Sequence, residues 1–303
     1  MKRLVLILPI LLLVPFRASA MRIAPTIFDV VANPGETLTE EISFTNDQAA
    51  AVTLTPEVVN FGRKDDAAPG IPDFYPASET RDGNELAPWM AVDPKPFTVL
   101  PRETFKVAVS ISVPAGAEPG SRFGAVIFRT GGGSGEGASV GLSSGAAALF
   151  FLRVNGQVVE SLQMESFTTG QRLYAEVPVD FSARFHNPGT VHQRPTGRFS
   201  IISMFGKGVL DTTFNPELAA IMPGSRRRFD LRWDGAPGHL PFGKYVATLV
   251  VKYGPENSTI GASTEFWVIP RGTTGLLAGG IGGLILLLAL LLRRRRPRPK
   301  RKR

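Results

Sequence analysis

The side chains that could support catalysis are scarce, and the clearest match to a catalytic pattern is Gly137, Ser139 and Gly141, which fit the letters GxSxG. In hydrolases with this motif the serine occupies a strained turn between a strand and a helix, and an acid and a histidine follow it. Here the letters lie in a glycine- and serine-rich tract between two predicted strands. The segment 133–138 resembles a relaxed dinucleotide fingerprint, but no strand–helix–strand unit surrounds it. We therefore predict no catalytic residue, no enzyme activity and no cofactor.

Candidate metal ligands are equally few, because the chain has no cysteine and only 3 histidines. His186 and His192 flank a turn at 187–189 that could bring them together. Two histidines with no acidic residue between them rarely hold a metal. The acidic residues of the 61–96 segment also lack the alternating spacing of a calcium loop. We predict no metal site.

The residues best suited to binding lie in the long segment from Phe61 to Pro96, which is rich in proline, glycine and aspartate. It carries Phe74, Tyr75 and Trp89, and an ordered loop of this length in a compact domain is commonly functional. Aromatic rings on such a loop could engage a ligand by stacking. The same rings could instead close the end of a β-sandwich, and the sequence leaves both interpretations open.

The net charge of +8 is concentrated at the two ends of the chain. The tail at 293–303 carries nine basic residues and the first twenty residues carry three, so 22 basic residues face 26 acidic ones between them. A nucleic-acid partner is therefore not predicted. The only basic run elsewhere, Arg226-Arg227-Arg228, could meet an anionic wall polymer or a membrane surface, or could be the solvated start of a strand.

Residues 1–20 have the pattern of a secretory signal peptide, with Lys2 and Arg3 before an apolar run and a small-residue site at Ala18-Ser19-Ala20. Residues 274–292 form an uncharged run of a length that spans a bilayer as a helix. Because clustered Lys and Arg stay on the cytoplasmic side, the basic tail at 293–303 predicts a C-terminus inside and an N-terminus outside. We predict a single-pass protein of the cell membrane.

Within the predicted span, Gly275, Gly279 and Gly283 recur every four residues. This spacing makes two overlapping GxxxG units, which allow two helix backbones to approach closely. Glycine is also common in membrane helices generally. A homodimer through this stripe is a hypothesis that the spacing permits.

The stretch between the two ends alternates apolar and polar residues, as in Phe105 to Val113 and Val177 to Phe185. Such alternation is typical of strands with one face on a core, and proline–glycine turns separate them. We predict an all-β ectodomain of two tandem immunoglobulin-like β-sandwich domains, at 21–155 and 156–272, with one C-terminal transmembrane helix.

The two predicted domains repeat the same order of signals. A strand ends at Asn46 in the first and at Asn187 in the second. Pro101 and Gly120 then bracket a strand in the first domain, and Pro223 and Gly243 bracket one in the second. This order predicts a domain-sized internal repeat and excludes a short-period solenoid.

These features resemble the WxL-interacting proteins, a family of bacterial cell-surface proteins. The resemblance rests on the signal peptide, on APTIFDVVANPGETLTEEISFTND at Ala24 to Asp47, on PGSRFGAVIF at Pro119 to Phe128, and on the span and basic tail. It implies that the first domain binds peptidoglycan and that the second contacts host proteins. It transfers no individual functional residue.

The sequence thus favours a non-catalytic, membrane-anchored surface protein that binds cell-wall glycan or a surface protein partner, with Phe74, Tyr75 and Trp89 as candidate contacts. The alternative is a structural or chaperone-like assembly subunit of a cell-surface complex that acts through exposed strand edges.

Overall fold

The computed structural model describes residues 21–62, 72–130, 145–236 and 242–270. Across these residues the chain is all β, with eighteen strands and a single 3-10 helix, as the alternating pattern predicts. The chain divides into two compact units, the first running essentially to Val154 and the second from Asn155 together with Pro119–Ser121.

The predicted signal peptide at 1–20, the span at 274–292 with Gly275, Gly279 and Gly283, and the tail at 293–303 lie outside the described residues. Within the described ranges, no helix has the length and apolar character needed to cross a bilayer.

The first unit consists of two sheets that enclose one core. Its strands are β1 (Met21–Ala24), β2 (Ile27–Ala32), β3 (Thr37–Asn46), β4 (Val52–Gly62), β5 (Asp73–Pro76), β6 (Met90–Val92), β7 (Phe97–Val99), β8 (Thr104–Ser112), β9 (Gly120–Thr130) and β10 (Gly145–Val154). One sheet has the order β1-β3-β8-β6, and the other has the order β2-β10-β9-β4-β5 with β7 paired to β4.

Alternation along the strands supplies the core between these sheets. In β8, Val107, Val109 and Ile111 are buried, while Ala108 and Ser110 between them face outward. Phe44 of β3 meets Phe128 of β9 edge to face across the two sheets, with ring centroids 4.4 Å apart. Burial of apolar side chains of this size stabilises the unit by about 1.5–3 kcal/mol each.

The second unit repeats this arrangement. Its strands are β11 (Gln163–Thr169), β12 (Leu173–Tyr174), β13 (Val179–His186), β14 (Thr196–Ser203), β15 (Gly208–Phe214), β16 (Arg226–Trp233), β17 (Gly243–Tyr253) and β18 (Ser258–Val268). One sheet has the order β11-β13-β16, and the other has the order β12-β18-β17-β14-β15.

The core of the second unit is built on aromatic rings. Trp233, at the end of β16, packs against Tyr245 of β17 with ring centroids 5.0 Å apart, and both side chains are buried. Phe266 of β18 lies 5.5 Å from Tyr245 and 5.4 Å from Phe181. The rings join the two sheets because inward-facing residues of each sheet alternate with outward-facing ones.

Each unit divides its opening segment between its two sheets. In the first unit, β1 pairs with β3 in an antiparallel ladder, and β2 then pairs in parallel with the last strand, β10. In the second unit, β11 pairs with β13 in the same antiparallel sense, and β12 pairs in parallel with the last strand, β18. The two units therefore share one topology, and the repeat extends from the turn signals to the order of the strands.

A buried asparagine braces the first unit where β3 ends. The Asn46 side-chain amide donates hydrogen bonds to the carbonyl oxygens of Ala50, at 2.8 Å, and Val99, at 3.0 Å. Its Oδ1 accepts a hydrogen bond from the backbone N–H of Gln48 at 2.9 Å. One side chain thus satisfies three backbone groups that the strands leave unpaired.

The second unit carries the same brace just after β13. The Asn187 amide donates to the carbonyl oxygens of Val191 and Ile221, both at 2.9 Å, and its Oδ1 accepts from the N–H of Gly189 at 2.9 Å. The backbone carbonyl of Asn187 also accepts a hydrogen bond from the N–H of Gly224 at 2.7 Å.

The turn that donates a backbone hydrogen bond to each of these asparagines is also repeated. The N–H of Arg102 donates to the carbonyl oxygen of Asn46 at 2.7 Å, as Gly224 does to Asn187. Arg102 has a φ of 65° and Gly224 a φ of 67°. Glycine adopts this left-handed conformation without the steric cost that arginine incurs, so the two turns are equivalent in shape although their residues differ.

We expect Asn46→Ala and Asn187→Ala each to lower the free energy of unfolding by about 3 kcal/mol or more, because three backbone groups lose their partner in each variant. Urea denaturation monitored by tryptophan fluorescence measures the change. Asn257→Gly, at an exposed turn residue with a φ of 55°, is the matched control and should change stability by less than about 0.5 kcal/mol. Losses at Asn46 and Asn187 no larger than that of the control would contradict the assignment.

Candidate functional site

The segment that carries the three predicted binding residues is tied to the first unit by Asn60, a buried residue of β4. The Asn60 amide donates to the carbonyl oxygens of Pro76, Ala77 and Glu79 at 3.3–3.4 Å. Its Oδ1 accepts a 2.9 Å hydrogen bond from the N–H of Ala87, at the start of the 3-10 helix Ala87–Trp89. The segment is therefore an ordered part of the fold where the structure describes it.

Tyr75 is buried in a hydrogen-bonded cluster with Arg81, Asp82 and Glu85, which we call the polar knot. Its hydroxyl donates to Glu85 Oε1 at 3.2 Å, and the same oxygen accepts from the N–H groups of Arg81, at 2.6 Å, and Asp82, at 2.9 Å. The Arg81 guanidinium lies over the Tyr75 ring, 4.1 Å from its centroid. The Tyr75 ring thus presents no free face to a ligand.

The ionisation of the knot follows from these contacts. Burial raises the pKa of the Glu85 carboxyl, but hydrogen bonds from the backbone N–H groups of Asp82 and Arg81, and from the Tyr75 hydroxyl, outweigh it and hold this pKa below its usual value. Burial also raises the pKa of the Tyr75 phenol, and the adjacent Glu85 raises it further. Glu85 is therefore the anion and Tyr75 the neutral donor at neutral pH.

Phe74 and Trp89 are half-buried. The Phe74 ring meets Phe61 edge to face at 6.4 Å. Trp89 packs against the core of the unit, and the Arg122 guanidinium lies 5.2 Å from the centroid of its ring. The structure therefore packs Phe74, Tyr75 and Trp89 into the unit, and of the three only Tyr75 is buried. A binding role for Phe74, Tyr75 or Trp89 stays a prediction.

The other polar clusters singled out in the sequence make structural contacts. Arg226 pairs with Glu165 at 2.8 Å. Arg227 donates to the carbonyl oxygen of Ala220 at 2.7 Å, and burial, with Arg194 nearby, lowers the pKa of its guanidinium. Arg226 also stands opposite His186 in the β13–β16 ladder. Among the described residues, no group of three His, Cys, Asp or Glu side chains could hold a metal ion.

A site that sequence reasoning did not locate lies at the start of β10. In the register of β2 with β10, Leu149 is the first paired residue and stands opposite Ile27. The N–H of Leu149 also donates to the carbonyl oxygen of Thr26 at 2.9 Å. Upstream of Leu149, the four residues Gly145–Ala148 have no strand on this side among the described residues.

The backbone of Ala147 is directed toward this open side. Successive residues of a strand direct their N–H and C=O groups to opposite sides, and the N–H of Leu149 points toward the chain at Thr26. Ala147 lies two residues earlier and therefore presents its N–H and C=O on the same side. We call this stretch, Gly145–Ala148, the open edge of β10. It carries no charged side chain and no proline.

Two edge strands of the second unit carry charged residues, which the open edge of β10 lacks. Charged residues guard an edge against pairing with another chain. The edge strand β16 carries Arg228 and Arg232, and β15 carries Asp211, which is paired with Arg198. The last strand of the second unit, β18, pairs with β12 near its C-terminal end, and β11 of the other sheet also contacts it.

We expect Glu85→Gln to lower the free energy of unfolding at pH 7 by about 2 kcal/mol, because the buried anion accepts three hydrogen bonds. The pKa of Glu85 is lower in the folded protein than in the unfolded chain, so its ionised form stabilises the fold at pH values above the unfolded-state pKa. This stabilisation is lost as the pH falls through the folded-state pKa. The difference between wild type and variant should therefore shrink below about pH 4. Urea titrations at several pH values measure it.

Glu79→Gln is the matched control in the same segment, since Glu79 makes an exposed ion pair with Arg81 at 2.6 Å. It should cost less than about 1 kcal/mol at pH 7. A pH-independent loss in Glu85→Gln would contradict the ionised knot.

Comparison with known proteins gives no family. No family model matches the chain, and no curated protein matches it. Among solved structures, the chain is similar to the class 5 fimbriae chaperone CfaA, with a TM-score of 0.40 and 11% identity over 83% of this chain and 100% of that chain. It is also similar to the Pseudomonas aeruginosa CupB2 chaperone, with a TM-score of 0.38 and 10% identity over 80% and 98%. For the E. coli chaperone DraB the TM-score is 0.34, with 15% identity over 83% and 98%. Likeness at this level carries no inference about function, and the resemblance to WxL-interacting proteins stays a prediction.

Proposed function

We propose that this chain is a non-catalytic cell-surface protein that takes part in assembly by pairing a segment of a protein partner with the open edge of β10. The observation that carries this proposal is that β2 begins only opposite Leu149, which leaves Gly145–Ala148 unpaired on that side among the described residues. It favours the assembly reading over adhesion through the aromatic segment, in which Tyr75 is buried.

The proposal includes an immunoglobulin-like fold for both units. Immunoglobulin-type sandwiches place the first, second, fifth and fourth strands in one sheet and the third, sixth and seventh in the other. The orders β1-β3-β8-β6 and β2-β10-β9-β4 fit that scheme if the first strand is divided between the sheets. The second unit, with β11-β13-β16 and β12-β18-β17-β14, fits it with one strand fewer.

Strand addition suits the open edge for three physical reasons. The N–H and C=O of Ala147 form a ready donor and acceptor for a neighbouring strand, because antiparallel and parallel ladders both use such pairs. The absence of charge removes the usual barrier to pairing with another chain. Main-chain hydrogen bonds supply affinity in this mode of recognition, and alternate side chains supply specificity.

Placement at the cell surface is supported by the sequence outside the described residues. The pattern of 1–20 supports export, and the uncharged run 274–292 followed by basic residues supports a membrane anchor with the two units outside. The resemblance to WxL-interacting proteins agrees with this placement. Binding to peptidoglycan through Phe74 or Trp89 is the competing reading, and the experiment below separates the two.

We expect Ala147→Pro to abolish capture of the partner while sparing the fold. Proline removes the N–H that faces the open side, and it is tolerated on edge strands because that N–H has no partner within the sheet. A photo-crosslinking residue placed at Ile27, next to the open edge, reports capture in the native envelope by the size of the crosslinked product.

Ala147→Val is the matched control, because valine keeps the N–H and favours a strand. It should capture the partner as well as wild type does. Equal capture by Ala147→Pro and Ala147→Val would contradict strand addition. Loss of sedimentation with isolated cell walls in Trp89→Ala, together with unchanged capture in Ala147→Pro, would instead favour the glycan reading.

A further inference from the structure

One end of the second unit exposes a group of large apolar side chains on the outer face of the five-stranded sheet. Leu173 of β12 stands opposite Trp267 of β18, and Trp267 stands opposite Lys244 of β17. The N–H of Met204, just after β14, donates to the carbonyl oxygen of Lys244 at 2.8 Å. Residues directly opposite in a ladder share a face, so these side chains form one row across four elements.

Two further apolar side chains extend this row. Ile202 lies next to it on the same face of β14, two residues before Met204, and Phe205 forms the tip of the hairpin between β14 and β15. We call the group the apolar end. Its exposed fractions are Phe205 75%, Leu173 57%, Met204 48%, Ile202 45% and Trp267 44%.

The apolar end is bordered by basic residues. Arg172 precedes Leu173, Lys207 follows Phe205 in the hairpin, and both are exposed. Lys244 lies within the row and pairs with Glu265 at 2.8 Å. Exposed aromatic and aliphatic side chains beside Lys and Arg match the boundary between lipid headgroups and acyl chains, where apolar groups are buried to about 5–10 Å and basic groups meet anionic lipid.

The short distance along the chain between this surface and the predicted membrane span indicates that its partner is lipid. Trp267 lies three residues before Pro270, the last described residue, and the uncharged run begins at Thr274. Four residues reach at most about 14 Å. If the run spans a bilayer, the apolar end is therefore the part of the second unit closest to the lipid surface.

The other basic feature of this unit lies at the opposite end. β16 begins at Arg226 and ends at Trp233, which packs against Tyr245 beside the apolar end. The run Arg226-Arg227-Arg228 is thus about seven strand residues away, or about 23 Å. Its arginines are engaged with Glu165, the Ala220 carbonyl and Asp230, so this run is not the surface that meets the membrane.

We propose that the apolar end is a lipid-docking surface that seats the second unit on the outer leaflet of the membrane in which the chain is anchored. Phe205, Leu173 and Trp267 enter the interfacial region, and Arg172 and Lys207 contact the headgroups. This proposal rests on the membrane anchor in the proposed function and is independent of strand addition at β10. Docking fixes the distance between the second unit and the membrane surface.

The absence of cysteine from the chain allows a single label to test this docking. The full chain carrying Phe205→Cys is labelled with an apolar fluorophore and reconstituted into vesicles of equal parts phosphatidylcholine and phosphatidylglycerol, with and without doxyl-labelled lipid. Flotation of the vesicles reports anchoring, and quenching of the fluorophore reports contact with lipid.

We expect the label at 205 to lose about half of its fluorescence to the doxyl lipid, as contact at interfacial depth requires. A label at Glu256→Cys, in the exposed turn at the other end of β17 and β18, should lose none. Leu173→Asp should reduce the quenching at 205 by at least about twofold. Val159→Asp should not, because Val159 is equally exposed but lies beside Glu160, which approaches Gly254 at that other end.

Each result has one meaning for the two proposals. Vesicles that carry the chain without quenching at 205, or with equal quenching at 205 and 256, overturn the docking surface and leave the anchor intact. A chain that does not float with the vesicles overturns the anchor, and the docking surface with it. Capture of a partner through the open edge of β10 is measured separately and is unaffected by either result.

Discussion

Both units depend on one constraint: a backbone N–H or C=O group taken out of water needs a hydrogen-bond partner. Each unit meets this need by dividing its first segment between two sheets, and by placing a buried asparagine at the end of β3 in the first unit and just after β13 in the second. Asn46 and Asn187 each satisfy three backbone groups of the adjoining turns. The two units therefore arrange their strands around their cores in the same way, because the hydrogen bonds that satisfy the backbone at the strand ends are alike.

The same constraint explains where the units differ. The parallel partner of the last strand is six residues long in the first unit and two in the second. In the second unit β11, a strand of the other sheet, also contacts β18. In the first unit the register of β2 with β10 begins only at Leu149, and Gly145–Ala148 lie outside it. The two units share one topology, but the first has the open edge of β10 and the second has the apolar end.

The sequence predicted the all-β class because the alternation of apolar and polar residues in β8, β13 and β17 is regular. It predicted the aromatic segment only as a pair of alternatives, since Tyr75 in a polar loop has the same letters whether it is exposed or buried. Its burial depends on Glu85, ten residues away, which carries no local signal of an inward-facing carboxylate. The open edge of β10 depends on the register with β2, and local pattern does not fix where a parallel pairing begins.

The apolar end could have been found from the sequence. Phe266, Trp267 and Val268 are three consecutive apolar residues in a strand, and a period of two requires the middle one to face outward. The same argument applies to Ile201 and Ile202. Which outward-facing residues of different strands lie together depends on the register between the strands, which the alternation within each strand does not give.

Hydrogen exchange at single amides of β10 tests the central claim most directly. The N–H groups of Ala147 and Phe151 both face the β2 side, but Phe151 lies within the paired register and Ala147 lies outside it. Our account predicts that Ala147 exchanges at least about a hundred times faster than Phe151 in the isolated protein, because only Phe151 is held by the β2 ladder. Equal protection of the two amides would show that the edge is already paired and would contradict the account.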